Sequence, residues 1–114
     1  MANNLDAYTV KVTDSIRTAM EKIEANHHRV VVVVADERVV GTVSDGDIRR
    51  AILHDVLTIA PVGQIMQLNP QVTQETDPAR RRELIKAERV TVLPVVDDQN
   101  RLVAVELAYE PFDL

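Results

Sequence analysis

The stretch GTVSDGDIRRAIL, residues 41–53, opens with small and β-branched residues and continues with Ile48, Ala51, Ile52 and Leu53 at helical spacing. A strand therefore runs directly into a helix, and the change of period falls at Ser44, a residue type favoured at helix starts. Just upstream, RVVVVV (residues 29–34) is a β-branched run too short for an ordinary helix, which predicts a strand buried on both faces. The polar turn ADER (35–38) separates it from a second strand over 39–43, and two strands so joined make an antiparallel hairpin. Further upstream, Ile16, Ala19, Met20 and Ile23 recur at i, i+3, i+4 and i+7, one stripe of an amphipathic helix over 14–26. The order is helix, strand, strand, helix.

The second half repeats this order. At an offset of 62, Ile23 falls on Ile85, Val32 on Pro94 and Val34 on Val96. The second hairpin turn, DDQNR, is one residue longer than ADER, so beyond it the offset is 63 and Arg38 falls on Arg101, Val39 on Leu102 and Gly41 on Ala104. Asp77 is a natural N-cap for the second-half helix, with Pro78 at the first helical position, where a missing N–H costs nothing. The connector APVGQIMQLNPQV carries two prolines and a glycine and reads as turn-rich. The expected boundary lies near Ala60, with residues 1–60 as the first repeat and 61–114 as the second. Ala19 and Met20 fall on Arg81 and Arg82, so the second-half helix has a weaker apolar face. The closing helix of the second repeat is expected to be missing or irregular, as in a truncated chain. Half-units of about 55 residues are marginal alone. They should pack together and leave a cleft between repeats, where small ligands usually sit.

The chain has 114 residues, 46% hydrophobic and 27% charged, with two Tyr, one Phe and no Trp, so aliphatic side chains must build the core. No cysteine occurs, which excludes disulfides, thiolate zinc sites and a Cys nucleophile, and a cytoplasmic location is the simplest expectation. The valine run at 30–34 is far shorter than the roughly 20 residues of a membrane helix, and MANNLDAYTV lacks the character of a secretory leader, so no membrane partner is expected. Thirteen basic residues against eighteen acidic give a net charge of −5, so nucleic acid is not an expected partner.

The N-terminus of the helix after Ser44 is suited to an anion, because its unpaired N–H groups and macrodipole favour negative charge. Gly46 permits close approach, Ser44 can donate its hydroxyl, the Asp47 carboxylate can accept both hydroxyls of a ribose, and Arg49 and Arg50 supply countercharge. The plainer alternative is that Ser44-x-x-Asp47 is a variant capping box. No G-x-x-x-x-G-K-[ST] and no G-x-G-x-x-G occurs, which argues against an NTPase or a dinucleotide-dependent oxidoreductase. His27 and His28 would point to opposite faces of a strand and make a poor chelate, so no metal site is expected. Ser44 has no histidine partner in its repeat, and the acidic pairs Asp45/Asp47 and Asp97/Asp98 are explained by capping and turns, so no catalytic residues are assigned. Arg80 to Arg82 reads as a solvated helix face.

These residues resemble the CBS domains, which occur as tandem pairs called Bateman modules. GTVSDGDIRRAIL is similar to the family's Gly-x-x-Thr/Ser-x-x-Asp signature, LPVVDDQNRLVAV (93–105) to its Leu-Pro-Val-Val-Asp hairpin, and IMQLNPQV (65–72) to its Met-x-x-x-Pro linker. The resemblance covers nearly the whole chain and implies an α+β fold of two tandem β-α-β-β-α repeats related by a pseudo-two-fold axis, small sheets packed with helices. It implies that Ser44 meets ribose or phosphate and Asp47 the ribose diol, with Thr42, Gly46 and Arg49 on the same stretch. Val12, Thr13, His28, Arg29, Val30 and Val31 would line the base pocket. The second repeat departs from the pattern, with Ala104, Leu107 and Glu110 at the Gly, Thr and Asp positions, so at most one good site is expected. The implied function is a regulatory module, not an enzyme, that senses AMP, ADP, ATP or S-adenosylmethionine and controls an attached or partner enzyme. The resemblance to tandem pairs implies a homodimer, and the wording SDGDIRR is similar to pairs fused to sugar nucleotidyltransferases and sugar-phosphate isomerases, so a separate or C-terminal catalytic domain is also an expected partner. The alternative is a structural dimerisation module without ligand binding.

Overall fold

Val31 and Val33 turn to one side of their strand and Val32 to the other, and all three are wholly buried. That single strand belongs to two cores, and the fold is built around it. A computed structural model describes residues 5–109. In chain order these form α1 (Leu5–Tyr8), β1 (Thr9–Lys11), α2 (Ile16–Asn26), β2 (Val30–Ala35), β3 (Arg38–Ser44), α3 (Asp45–Leu53), a 3-10 turn (Val62–Gln64), α4 (Pro78–Glu88), β4 (Val92–Val96) and β5 (Leu102–Leu107). The first sheet has the order β1-β2-β3, with β1 parallel and β3 antiparallel to β2, and the second is the antiparallel pair β4-β5.

One core lies between the first sheet and α2 and α3, with Ile16, Ala19, Ile23 and Ile48 against Val31, Val33 and Val43. The stripe read from the sequence is thus the buried face of α2, except that Met20 stays 38% exposed. Ser15 caps α2 by accepting from the N–H of Thr18 at 3.1 Å. The other core lies between the two sheets, where Val32 and Val39 meet Val92, Val96 and Val105, with Tyr8 of α1 at its edge. This face-to-face burial accounts for the unbroken valine run, since a strand covered on both sides needs no polar positions.

The repeat is visible in irregularities as well as in elements. Val33 pairs with Gly41 and Val34 with Val39, leaving Val40 as a bulge, and Val95 pairs with Ala104 and Val96 with Leu102, leaving Val103. The equivalent bulge in both hairpins follows the offset of 62 before the turn and 63 after it. Both repeat helices also end alike, at His27 (φ 61°) and Arg89 (φ 58°) in the left-handed region. Asp77 caps α4 as expected, accepting from the N–H of Ala79 at 3.0 Å. Only Ile85 of α4 is buried, which is the weak apolar face foreseen. The first strand of the second repeat is reduced to one parallel bridge, Thr73 to Val95, where the first repeat pairs three residues. The expected irregular closing helix, and Glu110 with it, lie outside the described residues.

After Ala60 the connector stays with the first repeat for some residues. Val62 is buried in the first core, its N–H donates to Asp14 O at 2.7 Å, and Gln67 forms a bridge with Thr42. No helix among the described residues is long and apolar enough to cross a membrane.

Candidate functional site

Ser44 ends β3 in extended geometry (φ −108°, ψ 169°) and caps α3. The capping box proposed from its spacing is present. The N–H of Asp47 donates to Ser44 Oγ at 3.2 Å, and the N–H of Ser44 donates back to Asp47 Oδ2 at 2.9 Å. The same Oδ2 also accepts from Ser44 Oγ at 3.0 Å, while Oδ1 accepts from Arg50 Nη2 at 2.7 Å and Gln67 Nε2 at 2.9 Å. Asp47 is 6% exposed, so its carboxylate is almost entirely enclosed by donors. Burial pushes its carboxyl upward, but the hydrogen bonds from Gln67, from the N–H and hydroxyl of Ser44 and from Arg50 outweigh it and hold the group below its ordinary value.

Two guanidinium groups fold back over the first turn of α3. A Cβ built on Gly46 would lie 3.2 Å from Arg50 Nη1 and 3.7 Å from Arg49 Nη2, so the open side of this glycine faces both. The positive end of α3 and two cations over its first turn suit a phosphate, while the N–H groups of Asp45 and Asp47 and the Ser44 hydroxyl already donate to Arg29 O, Ser44 Oγ and Asp47 Oδ2. Gly41 has a different reason to be glycine. A Cβ there would fall 2.7 Å from Gln67 O and 2.9 Å from Met66 Sδ, because the connector runs against β3 and pairs Gln67 with Thr42 in both directions.

Of the residues carried over by resemblance, the structure gathers Thr42, Ser44, Gly46, Asp47, Arg49, Arg29 and Val30 at one end of the first sheet. Val30 pairs with Ser44, and the carbonyl of Arg29 accepts from the N–H of Asp45 at 3.0 Å. Val12 and Thr13 are not part of this group. The parallel register sets Thr9 beside Val32 and Lys11 beside Val34, so the chain following β1 leaves at the opposite end of β2, where Val12 N–H donates to Val34 O at 2.9 Å. The Val31 side chain lies in the core beneath the helices. The His28 ring is wholly buried between Tyr8 and Tyr109, with Nε2 2.8 Å from the carbonyl of Tyr109. Among the described residues no group of three or more His, Asp or Glu is placed to hold a metal ion.

Gln67 went unassigned in the sequence, where no local spacing connects it to Asp47. Only the pairing of the connector with Thr42 brings it there.

A sequence model of the CBS domain matches residues 3–54. The chain is 30% identical over 95 residues to the arabinose 5-phosphate isomerase GutQ of Escherichia coli, an alignment covering 82% of this chain and 30% of that protein. It spans less than a third of the length of the curated relatives it matches. Among solved structures it is similar to CBSX2 in complex with AMP, with TM-score 0.72, 23% identity and coverage of 95% of this chain and 86% of that one. It is also similar to the CBS domains of a transcriptional regulator of Streptococcus pneumoniae, with TM-score 0.74, 19% identity and coverage of 94% and 88%. Residues 3–54 are thus a CBS domain, and the chain carries the fold of a CBS domain pair.

Proposed function

We propose that the chain is a regulatory module that binds an adenine nucleotide at the start of α3 and controls the activity of an attached or partner enzyme. The observation that carries this reading is the convergence of Ser44, Asp47, Arg49 and Arg50 on the first turn of α3 around Gly46. The phosphate would sit on the helix N-terminus against the two arginines. The ribose diol would donate to Asp47 Oδ1 in place of Gln67 and Arg50, which frees the Arg50 guanidinium for the phosphate. Arg29 and Val30, on the adjoining strand end, would border the base. The solved CBSX2 complex contains AMP, which supports an adenine nucleotide as the ligand. The similarity to GutQ supports a sugar-phosphate isomerase as one class of regulated enzyme; a sugar nucleotidyltransferase is the other class that the SDGDIRR wording implies. Ligand occupancy regulates only if the nucleotide binds two arrangements of the module unequally.

The test is calorimetric titration of the protein with AMP, ADP, ATP and S-adenosylmethionine, with Asp47→Ala as control. Saturable binding that the control loses supports the reading. A folded wild type that binds none of the four overturns it.

A second reading, self-association through the helices, is favoured by a separate observation. A groove of about 350 Å³ between α2 and α3 has apolar walls that include Met20, Ile48, Ile52 and Leu53. Ile52 is 47% and Leu53 73% exposed, which is costly unless another surface covers them. The two readings are compatible.

A further inference from the structure

Residues 26–29 join α2 to β2 and touch both repeats. The carbonyl of Arg29 accepts from the N–H of Asp45, the first residue of α3, at 3.0 Å. The carbonyl of His28 accepts from the hydroxyl of Thr91 at 2.5 Å, and that of His27 from the hydroxyl of Tyr109 at 2.7 Å. Three successive carbonyls are thus committed outside the loop, one to α3 and two to the second repeat. The buried His28 ring reinforces the far side, stacked on Tyr109 with centroids 4.3 Å apart and planes at 12°. Just before Tyr109, the N–H of Ala108 donates to Thr91 O at 2.9 Å. Inside the loop, Asn26 Nδ2 donates to Ala7 O and Val30 O, and Asn26 Oδ1 accepts from the N–H of His28. His27, the left-handed C-cap of α2, and Arg29 lie at φ 61° and 67°. A small loop bonded at both ends cannot yield at one end alone, so a displacement is transmitted or a bond is lost.

We infer that loop 26–29 couples the N-terminus of α3 to the segment leaving β5, so that occupancy at Ser44 and Asp47 resets Tyr109. For what it transmits, this rests on the nucleotide-site reading; the bonds themselves are present without ligand. The coupling is reciprocal, so Tyr109 sets the affinity at α3 by the same factor.

The test uses Asp45→Pro in the full chain. Asp45 is the first helical position, where proline is accommodated, so the substitution removes the N–H together with the carboxylate, and Ser44 before it is already extended as a preceding residue must be. In Asp45→Pro the Ala108 amide should exchange about two- to tenfold faster, the worth of one net hydrogen bond, and the Tyr109 ring signals should move. Asp45→Ala, which keeps the N–H, should leave both unchanged. Thr91→Val tests the opposite direction and should move the amide signals of Asp45 and Asp47. Paired with Tyr109→Ala, Asp45→Pro should act non-additively on stability. Additive effects with unmoved Tyr109 signals, or unmoved α3 signals in Thr91→Val, overturn the coupling. AMP that binds the wild type without moving Tyr109 overturns it as well. Failure of AMP to bind overturns the nucleotide reading instead, and the ligand-free measurements still decide the coupling.

Discussion

Gln67 donates to Asp47 Oδ1 at 2.9 Å across 20 residues of sequence, and this bond ties the connector between repeats to the first turn of α3. Its backbone is fixed independently by the bridge to Thr42, so the side chain can be removed without releasing the connector. Gln67→Ala should cost about 1–2 kcal/mol in urea unfolding, near the lower range for a bond to a charged group, since Asp47 keeps its other donors. In the proposed complex the ribose takes the place of this donor, so AMP affinity should hold or rise. A loss of affinity as large as that of Asp47→Ala would show that Gln67 holds the ligand rather than competing with it.

The Asp47 carboxyl is held below its ordinary value of 3.8 by its donors, against the opposing effect of burial. A depressed folded value means stability that is present above the unfolded value and lost as pH falls through the folded one. The stability difference between wild type and Asp47→Asn should therefore be constant above about pH 5 and shrink steadily below about pH 4. Unfolding midpoints measured across that range check the sign. A difference that grows on acidification would mean that burial, not hydrogen bonding, dominates this carboxyl.

The two glycines flanking Ser44 should respond oppositely to alanine. At Gly41 the new methyl meets a backbone carbonyl at 2.7 Å and the Met66 side chain, and because Gln67 O is part of a bridge it has little room to move. Gly41→Ala should destabilise by about 1–3 kcal/mol, the usual cost of overpacking. At Gly46 the nearest atoms are the ends of two flexible arginines, at 3.2 Å and beyond. Gly46→Ala should be stabilising by about 0.5–1 kcal/mol through helix propensity, while it weakens AMP binding by crowding the anion. Thermal melts of both variants beside a titration of the second separate the two effects.

What was legible in the sequence was whatever has a period or a local partner. The valine run, the Ile16–Ile23 stripe, the Asp77–Pro78 start and the one-residue difference between hairpin turns each gave the correct element, because each is read within a few residues. The turn at Asp36 and Glu37 has φ of 50° and 68°, so it matches the twist of a two-residue hairpin without the glycine that usually signals one. The residues whose surroundings were not legible share one cause. Val12 and Thr13 were assigned by position in a motif, but where they lie depends on the parallel register of a three-residue strand, which no local pattern specifies. His28 and Gln67 likewise take their environment from Tyr109 and Asp47, partners that only the folded chain supplies.

Self-association makes the last prediction, and symmetry sets its size. A two-fold contact through the α2–α3 groove would place each exposed side chain in the interface twice, so one substitution counts twice. The rim carries Glu24 and Asp45 on one side of the charge balance and Arg49 on the other, which allows a surface to face its own copy without like charges opposed. Leu53, 73% exposed, would contribute about 1.5–3 kcal/mol per copy on burial. Leu53→Glu should therefore weaken self-association by about a hundredfold or more, since it removes two apolar contacts and opposes two new charges. Sedimentation velocity over a range of concentrations reads this directly. A wild type that stays monomeric throughout, or a Leu53→Glu protein that associates as the wild type does, removes this groove as the contact surface.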